Sequence, residues 1–191
     1  MIPLNSELRG KTLGIVGFGV IGRRVAKLSN AFGMKILTYD PYISSEVLHE
    51  LAAESVSLER LLKESDVITI HVARTKETFH MISENEFRMM KKSAILVNCS
   101  RGDIVDEESL LSALGENSIS GAGLDVLETE PPSLGSSLFK FPNLIITPHV
   151  AGFTKEVRQN SMVALAQDID RALKGQMPIN LVNKEILDRQ K

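Results

Sequence analysis

The sequence predicts an α/β protein with a doubly wound parallel sheet and helices on both faces. Two observations predict it. Apolar runs of strand length alternate with segments of helical period along most of the chain. Those runs carry almost no charge, as strands covered on both faces require. With 191 residues, 43% hydrophobic and 24% charged, the chain has material for one generous domain, or for one domain and a fragment of another.

The first run, KTLGIVG, reads as a buried strand, and a helix follows over residues 20–31, ending at Gly33. MKILTYD is the second strand, stopped by Pro41. A short helix is predicted over 57–63, then the strand DVITIHV. Ser83 stands three residues before Glu86, the spacing of a capping box ahead of a helix over 84–90. SAILVNCS is a strand. Asp106 then caps a helix that runs to Leu114, with Gly115 placed to end it. SISGAGLDV and NLIITPH are the last strands. A final helix starts near Thr154, with Val157, Ser161, Ala164, Leu165, Ile169, Ala172 and Leu173 on its inner face and Gly175 at its end. The Pro- and Ser-rich stretch TEPPSLGSSLFKFPN is the one long loop, a length that in a compact domain often carries function.

A net charge of −2 leaves no electrostatic footprint for nucleic acid or an anionic membrane. The single cysteine, Cys99, excludes an internal disulfide and a cysteine-based zinc site, and no other metal site is predicted. The opening MIPLNSELRGK has no apolar signal core, and no run is long enough to span a bilayer. These features lead us to expect a soluble cytoplasmic protein.

GIVGFGVIGRRVA places Gly17, Gly19 and Gly22 in a G-x-G-x-x-G pattern directly after a strand and opening a helix. In a Rossmann-like fold Gly17 permits the tight turn, Gly19 lets backbone approach a pyrophosphate, and Gly22 packs the helix on the strand. The N–H groups of Val20 and Ile21 then face the phosphates, aided by the helix dipole. The alternative is a tight turn with no ligand. Asp40, 18 residues past Gly22 at the end of the second strand, is placed to bond ribose hydroxyls and repel a 2′-phosphate. No Arg or Lys follows in DPYISSE, so the cofactor is expected to be NAD. Asp40 as a simple turn residue before Pro41 is the other reading.

Arg101 in NCSRGDIVDE follows a buried strand, which sets a cation at the carboxyl edge of the sheet, where open α/β sheets bind ligands. Its planar fork matches a carboxylate. Taken alone it also reads as a surface Arg paired with Asp103 or Asp106. His149, ending NLIITPH, taken alone reads first as a core histidine bonded to a backbone carbonyl.

Together, NCSRGDIVDE, GAGLDVLETEPP and TPHVAG resemble the NAD-dependent D-isomer-specific 2-hydroxyacid dehydrogenases, and the likeness extends from LRGKTLGIVG to LVN near the end. The resemblance implies a catalytic trio of Arg101, Glu130 and His149. It also implies cofactor contacts at Val20, Ile21, Asp40, Val72, Cys99, Ser100, Arg101, Asp125, His149, Val150, Ala151 and Gly152. On this reading His149 exchanges the proton of a 2-hydroxyl, and Glu130 stabilises the imidazolium. Arg101 clamps the carboxylate of a small 2-hydroxy or 2-keto acid. The family includes phosphoglycerate dehydrogenases and hydroxypyruvate and glyoxylate reductases. It also includes corepressor-like proteins that sense NAD(H), the alternative for this chain. A homodimer through the cofactor domain is implied as well.

Of the remaining candidates, His71 reads equally as a packed strand-end residue or a neighbour of the cofactor. His49 and His80 have no evident partner, and Cys99 reads as a small packing residue. Ala73 and Arg74 stand where relatives usually have a proline and an apolar residue. We expect residues 1–175 to form the dinucleotide domain. Residues 176–191 are expected to close a split substrate domain whose preceding half is absent, leaving the isolated chain weakly active or inactive.

Overall fold

A computed structural model describes residues 6–183. They form two compact units, one ending at His149 and the other beginning at Val150. The first is a seven-stranded, wholly parallel sheet. Its strands are β1 (Thr12–Val16), β2 (Lys35–Tyr39), β3 (Ala53–Ser55), β4 (Val67–Ile70), β5 (Ile95–Asn98), β6 (Gly121–Leu124) and β7 (Leu144–Ile146). The order across the sheet is β3-β2-β1-β4-β5-β6-β7, so the winding reverses between β1 and β4. That reversal opens a crevice at the carboxyl edge.

Alternation along β1 separates the two faces. Leu13 and Ile15 pack with α1 (Val20–Ala31) and α2 (Ser45–Glu50), in a cluster that includes Ala26, Met34 and Ile36. Val16 points the other way, into the larger core with α3 (Leu58–Glu64), α4 (Glu84–Met89) and α5 (Glu107–Gly115), through Leu61, Phe87 and Leu110. Burial of each such Leu, Ile or Phe contributes roughly 1.5–3 kcal/mol. Beyond β4 the α1 side is thinner. In the row Ile15–Thr69–Val97–Gly123–Ile145, the last residue is 71% exposed.

Local chemistry sets the helix bounds. Ser57 caps α3 by accepting from the Arg60 N–H at 3.2 Å, and Asp106 caps α5 by accepting from the Ser109 N–H at 2.7 Å. Glu86 reaches back to the Ser83 N–H at 3.1 Å, as the capping-box spacing predicts. Gly115, expected to end α5, is instead its last helical residue, and the left-handed turn falls on Asn117 at φ +54°. Asn tolerates that conformation, so the helix runs one residue further than expected before reversing. The sequence reading also passed over α2 and β3, and over a single 3-10 turn at Ser137–Lys140 that buries Leu138 within the long loop.

The second unit carries α6 (Lys155–Leu173), capped by Thr154, which accepts from the Val157 N–H at 3.0 Å. Asp168 accepts from the Ile179 and Asn180 N–H groups at 2.6 and 3.2 Å, tying the following residues to the helix. The inner face expected for α6 is not buried: Val157, Leu165, Ile169 and Leu173 are 50%, 61%, 51% and 83% exposed. Periodicity reports that a helix is amphipathic, while burial needs a covering surface, and the described residues supply none. No helix among the described residues is long and apolar enough to cross a membrane. Of the expected closing piece 176–191, residues 184–191 lie outside the described residues.

Candidate active site at the carboxyl edge of the sheet

The glycine turn separates fold requirements from something else. Gly17 adopts φ +93°, and a Cβ there would sit 2.8 Å from the backbone of His71 and Val72. A Cβ on Gly22 would sit 2.3 Å from the Gly17 carbonyl. Both are glycine because the chain packs on itself. Around Gly19 a Cβ would meet nothing within 4 Å, so this glycine faces open space. It is also the N-cap of α1, which has no capping side chain and no acidic residue in its first turn. Val20 and Ile21 are exposed beside it. The helix N-terminus is thus uncompensated and bare, suited to an anion.

Gly19, Asp40, Tyr42, His71, Val72 and Glu77 are among the residues lining a cavity of about 410 Å³. Asp40 is pinned there: its two oxygens accept from the Phe18 N–H at 2.7 Å and the Tyr42 N–H at 2.9 Å. Glu77 adds a second carboxylate, which the sequence reading did not single out, and among the described residues the cavity lining includes no Arg or Lys. A 2′-phosphate meets repulsion here and a ribose diol meets acceptors. His71 Nε2 lies 3.0 Å from Thr69 Oγ1, and burial lowers the imidazole pKa.

Three strand ends build the second half of the site. After β5, the buried Asn98 folds the turn: its Nδ2 donates to the Arg101 carbonyl at 2.8 Å, and its Oδ1 accepts from Ser100 N–H and Oγ–H at 3.0 and 2.7 Å. This presents Arg101 to solvent, its guanidinium donating to the Ser100 carbonyl at 2.6 Å. The surface pairing weighed for Arg101 does not occur. Asp103 is bonded to Arg74 at 2.7 Å and Asp106 lies 3.0 Å from His80, so among the described residues no carboxylate holds Arg101. Cys99 is exposed and is not the packing residue expected, because its turn faces the open edge of the sheet. Partial desolvation of the sulfur and then Asp125 push its thiol pKa up, which disfavours the thiolate.

After β6, Asp125 is 5% exposed; its N–H donates to the Asn98 carbonyl at 2.9 Å and its Oδ1 accepts from Thr147 Oγ at 2.5 Å. After β7, His149 adopts φ +54°, an uncommon conformation that clusters at functional sites. Its Nδ1 lies 2.8 Å from Glu130 Oε2, while Glu130 Oε1 accepts from the Leu127 N–H at 2.8 Å. The His149 contact first, and then that N–H, hold the Glu130 carboxyl below its ordinary pKa. An ionised Glu130 only accepts, so Nδ1 carries a hydrogen and Nε2 remains for proton exchange. The core-histidine alternative is not what the structure shows, since the His149 side chain is half exposed.

Asp125, Leu127, Glu130, Phe139, Thr147 and His149 line one cavity of about 490 Å³. Arg101 is not in its lining, but its turn abuts it: a Cβ on Gly102 would lie 2.0 Å from the Leu127 carbonyl group. Val150, Ala151 and Gly152 open the second unit, in a turn closed by the Phe153 N–H donating to the Val150 carbonyl at 2.9 Å. Asn98 and Thr147 escaped the sequence reading. A polar residue at the end of an apolar strand run is the signal that finds both.

A parallel doubly wound sheet with a bare glycine turn at α1 and a carboxylate at the end of β2 defines a dinucleotide-binding domain. Residues 2–151 match the family described as D-isomer specific 2-hydroxyacid dehydrogenase, NAD binding domain, and the chain belongs to that family. It is 49% identical over 184 residues to a glyoxylate reductase of Thermococcus litoralis, covering 96% of this chain and 55% of that one. It is 44% identical over 177 residues to a D-3-phosphoglycerate dehydrogenase of Archaeoglobus fulgidus, covering 93% and 34%. Among solved structures, a D-lactate dehydrogenase with NAD+ from Lactobacillus jensenii matches with a TM-score of 0.86 at 34% identity, over 94% of this chain and 57% of that one. The chain spans about half the length of the glyoxylate reductases it matches. The cofactor is NAD, as its family and the acidic cavity agree.

Proposed function

We propose that the chain is the cofactor domain of an oxidoreductase that moves hydride between NAD(H) and a D-2-hydroxy acid or its 2-keto acid. The observation that carries this reading is the 2.8 Å His149–Glu130 contact on a cavity shared with Asp125. Bound NAD(H) supplies or accepts the hydride. In reduction, His149 Nε2 gives its proton to the carbonyl oxygen; in oxidation it takes the proton of the 2-hydroxyl. Glu130 keeps the ring in the tautomer that this exchange needs and stabilises its charged form. Arg101, which no carboxylate among the described residues holds, binds the substrate carboxylate and stabilises charge on the reacting oxygen. Gly19, with the first N–H groups of α1, receives the pyrophosphate; Asp40 holds the ribose; and Val72, Cys99, Ser100, Asp125 and Val150 to Gly152 complete the cofactor contacts.

Substrates of the size of glyoxylate, hydroxypyruvate or 3-phosphohydroxypyruvate fit the names of the relatives. Residues 1–175 as the cofactor domain, 176–191 as part of a substrate domain, and a homodimer complete the proposal. Assayed alone, the 191-residue chain is expected to bind NADH but turn substrate over slowly, because the His149 side chain is half exposed to water. NADH binding is read from its own fluorescence, since the chain has no Trp. Turnover of one of these keto acids by a full-length form supports the proposal. NADH binding with no turnover of any of them contradicts it and leaves an NAD(H)-sensing module of the corepressor kind.

A further inference from the structure

His80 takes no part in the chemistry above, yet it stands where three loops meet. Nδ1 lies 3.0 Å from Asp106, the cap of α5, and Nε2 lies 3.0 Å from Glu128 in the loop after β6. Nε2 is buried and outside hydrogen-bonding geometry, so the Glu128 contact is a close approach and not a directed bond. The His80 N–H donates to the Asp103 carbonyl at 2.9 Å. Its ring stacks on Phe79 with centroids 4.0 Å apart, and the Arg74 guanidinium lies over Phe79 while bonding Asp103 at 2.7 Å. Its backbone is held at φ +48°, uncommon for any residue but glycine.

We propose that His80, backed by Phe79 and Arg74, is a positioning residue that fixes the turn carrying Arg101 against the loop carrying Glu130. The inference rests on the roles given to Arg101 and Glu130 above. Asp103 and Asp106 continue the segment that starts at Arg101–Gly102, and Glu128 stands two residues before Glu130. The two segments are already laced together. The Glu128 N–H donates to Glu107 Oε1 at 2.6 Å, and the Glu107 N–H donates to Glu128 Oε1 at 2.9 Å. Leu127, whose N–H holds Glu130, packs on Gly102 where no side chain fits. The carboxylates of Asp106, Glu107 and Glu128 repel one another across this seam. The His80 ring stands between them, one ring nitrogen 3.0 Å from Asp106 and the other 3.0 Å from Glu128, and so spans the seam. Arg74, the departure from the family pattern, thereby gains a function as the outer layer of the brace. A divalent cation is the other occupant that a His–Asp–Glu set admits. One cation takes only one ring nitrogen, however, and here the two nitrogens face different carboxylates.

Two variants test the brace: His80→Gly, which keeps the backbone conformation without strain, and Glu128→Gln, which alters a surface side chain. The readouts are the ¹⁵N resonance of His149 Nδ1, which reports its bond to Glu130, and amide exchange at Leu127 and Glu128. Each variant should displace the His149 resonance and speed exchange at both amides by about tenfold. The double variant should go no further than either single one, because both cut the same contact. In a full-length form kcat should fall on the order of 10- to 10²-fold, with NADH affinity unchanged within about twofold. An unmoved His149 resonance and unchanged exchange in both variants overturn the brace, whatever the turnover. Added zinc that shifts the His80 resonance at equimolar ratio also overturns it, in favour of a metal site. Displaced resonances in a protein with no turnover leave the brace standing and remove the hydride-transfer reading instead.

Discussion

Gly19 and Gly22 share one motif but answer to different constraints, and substitution separates them. Gly22→Ala drives a Cβ into the Gly17 carbonyl at 2.3 Å and should cost about 1–3 kcal/mol of stability by chemical denaturation. Gly19→Ala meets no atom and should melt like the parent, while weakening NADH binding by about tenfold or more in a fluorescence titration. Equal NADH affinity in Gly19→Ala would remove the pyrophosphate from this turn. At this scale the sequence was legible where a residue's reason is local. Gly17, Asp40 and Asp106 could be read from their spacing. It was opaque where partners are distant: Glu130 and His149 are 19 residues apart and were paired only through the family resemblance. His80 had no visible partner because Asp106 and Glu128 reach it through the fold, and Cys99 lost its packing role because exposure belongs to the turn.

Asp66 shows how one side chain ties several elements at the amino edge of the sheet. Its Oδ2 accepts from the Thr12 N–H that starts β1, and its Oδ1 lies 2.9 Å from Lys91 Nζ before β5. Burial pushes the carboxyl pKa up, but the Thr12 N–H and Lys91 outweigh it and the net shift is downward from 3.8. A carboxyl whose pKa is lower folded than unfolded stabilises above its ordinary pKa, and that stability is lost as pH falls through the lowered value. Asp66→Asn should therefore cost about 1 kcal/mol at pH 7, and the difference should shrink in urea melts as pH falls below the ordinary carboxyl value of 3.8. A constant difference across that range would contradict the assignment. The elements that sequence alone located include α1, which has strong periodicity, and α5, which is capped by Asp106. It passed over α2 and β3 because six helical and three strand residues are too short for a period to register. It misjudged α6 because an apolar stripe does not name its cover.

For the molecule as a whole, the proposal has the carboxylates Asp40 and Glu77, in a cavity near the winding reversal between β1 and β4, select one dinucleotide. NADH at a hundred times its Kd should stabilise the fold by about 2.7 kcal/mol, raising Tm by roughly 5–10 °C for a chain of this size. NADPH at the same concentration should raise it far less, and an equal shift would contradict the reading of the acidic cavity. Fold class was legible at this scale because uncharged strands and helical spacers admit few arrangements. The division between units at His149 and Val150 was not, since no change of composition marks it.

Single-turnover oxidation of NADH by glyoxylate, compared between a full-length form and its His149→Ala variant, puts the proton-transfer role at stake. The account predicts hydride transfer slowed by roughly 10²- to 10⁴-fold with NADH affinity retained. An unchanged rate would contradict it.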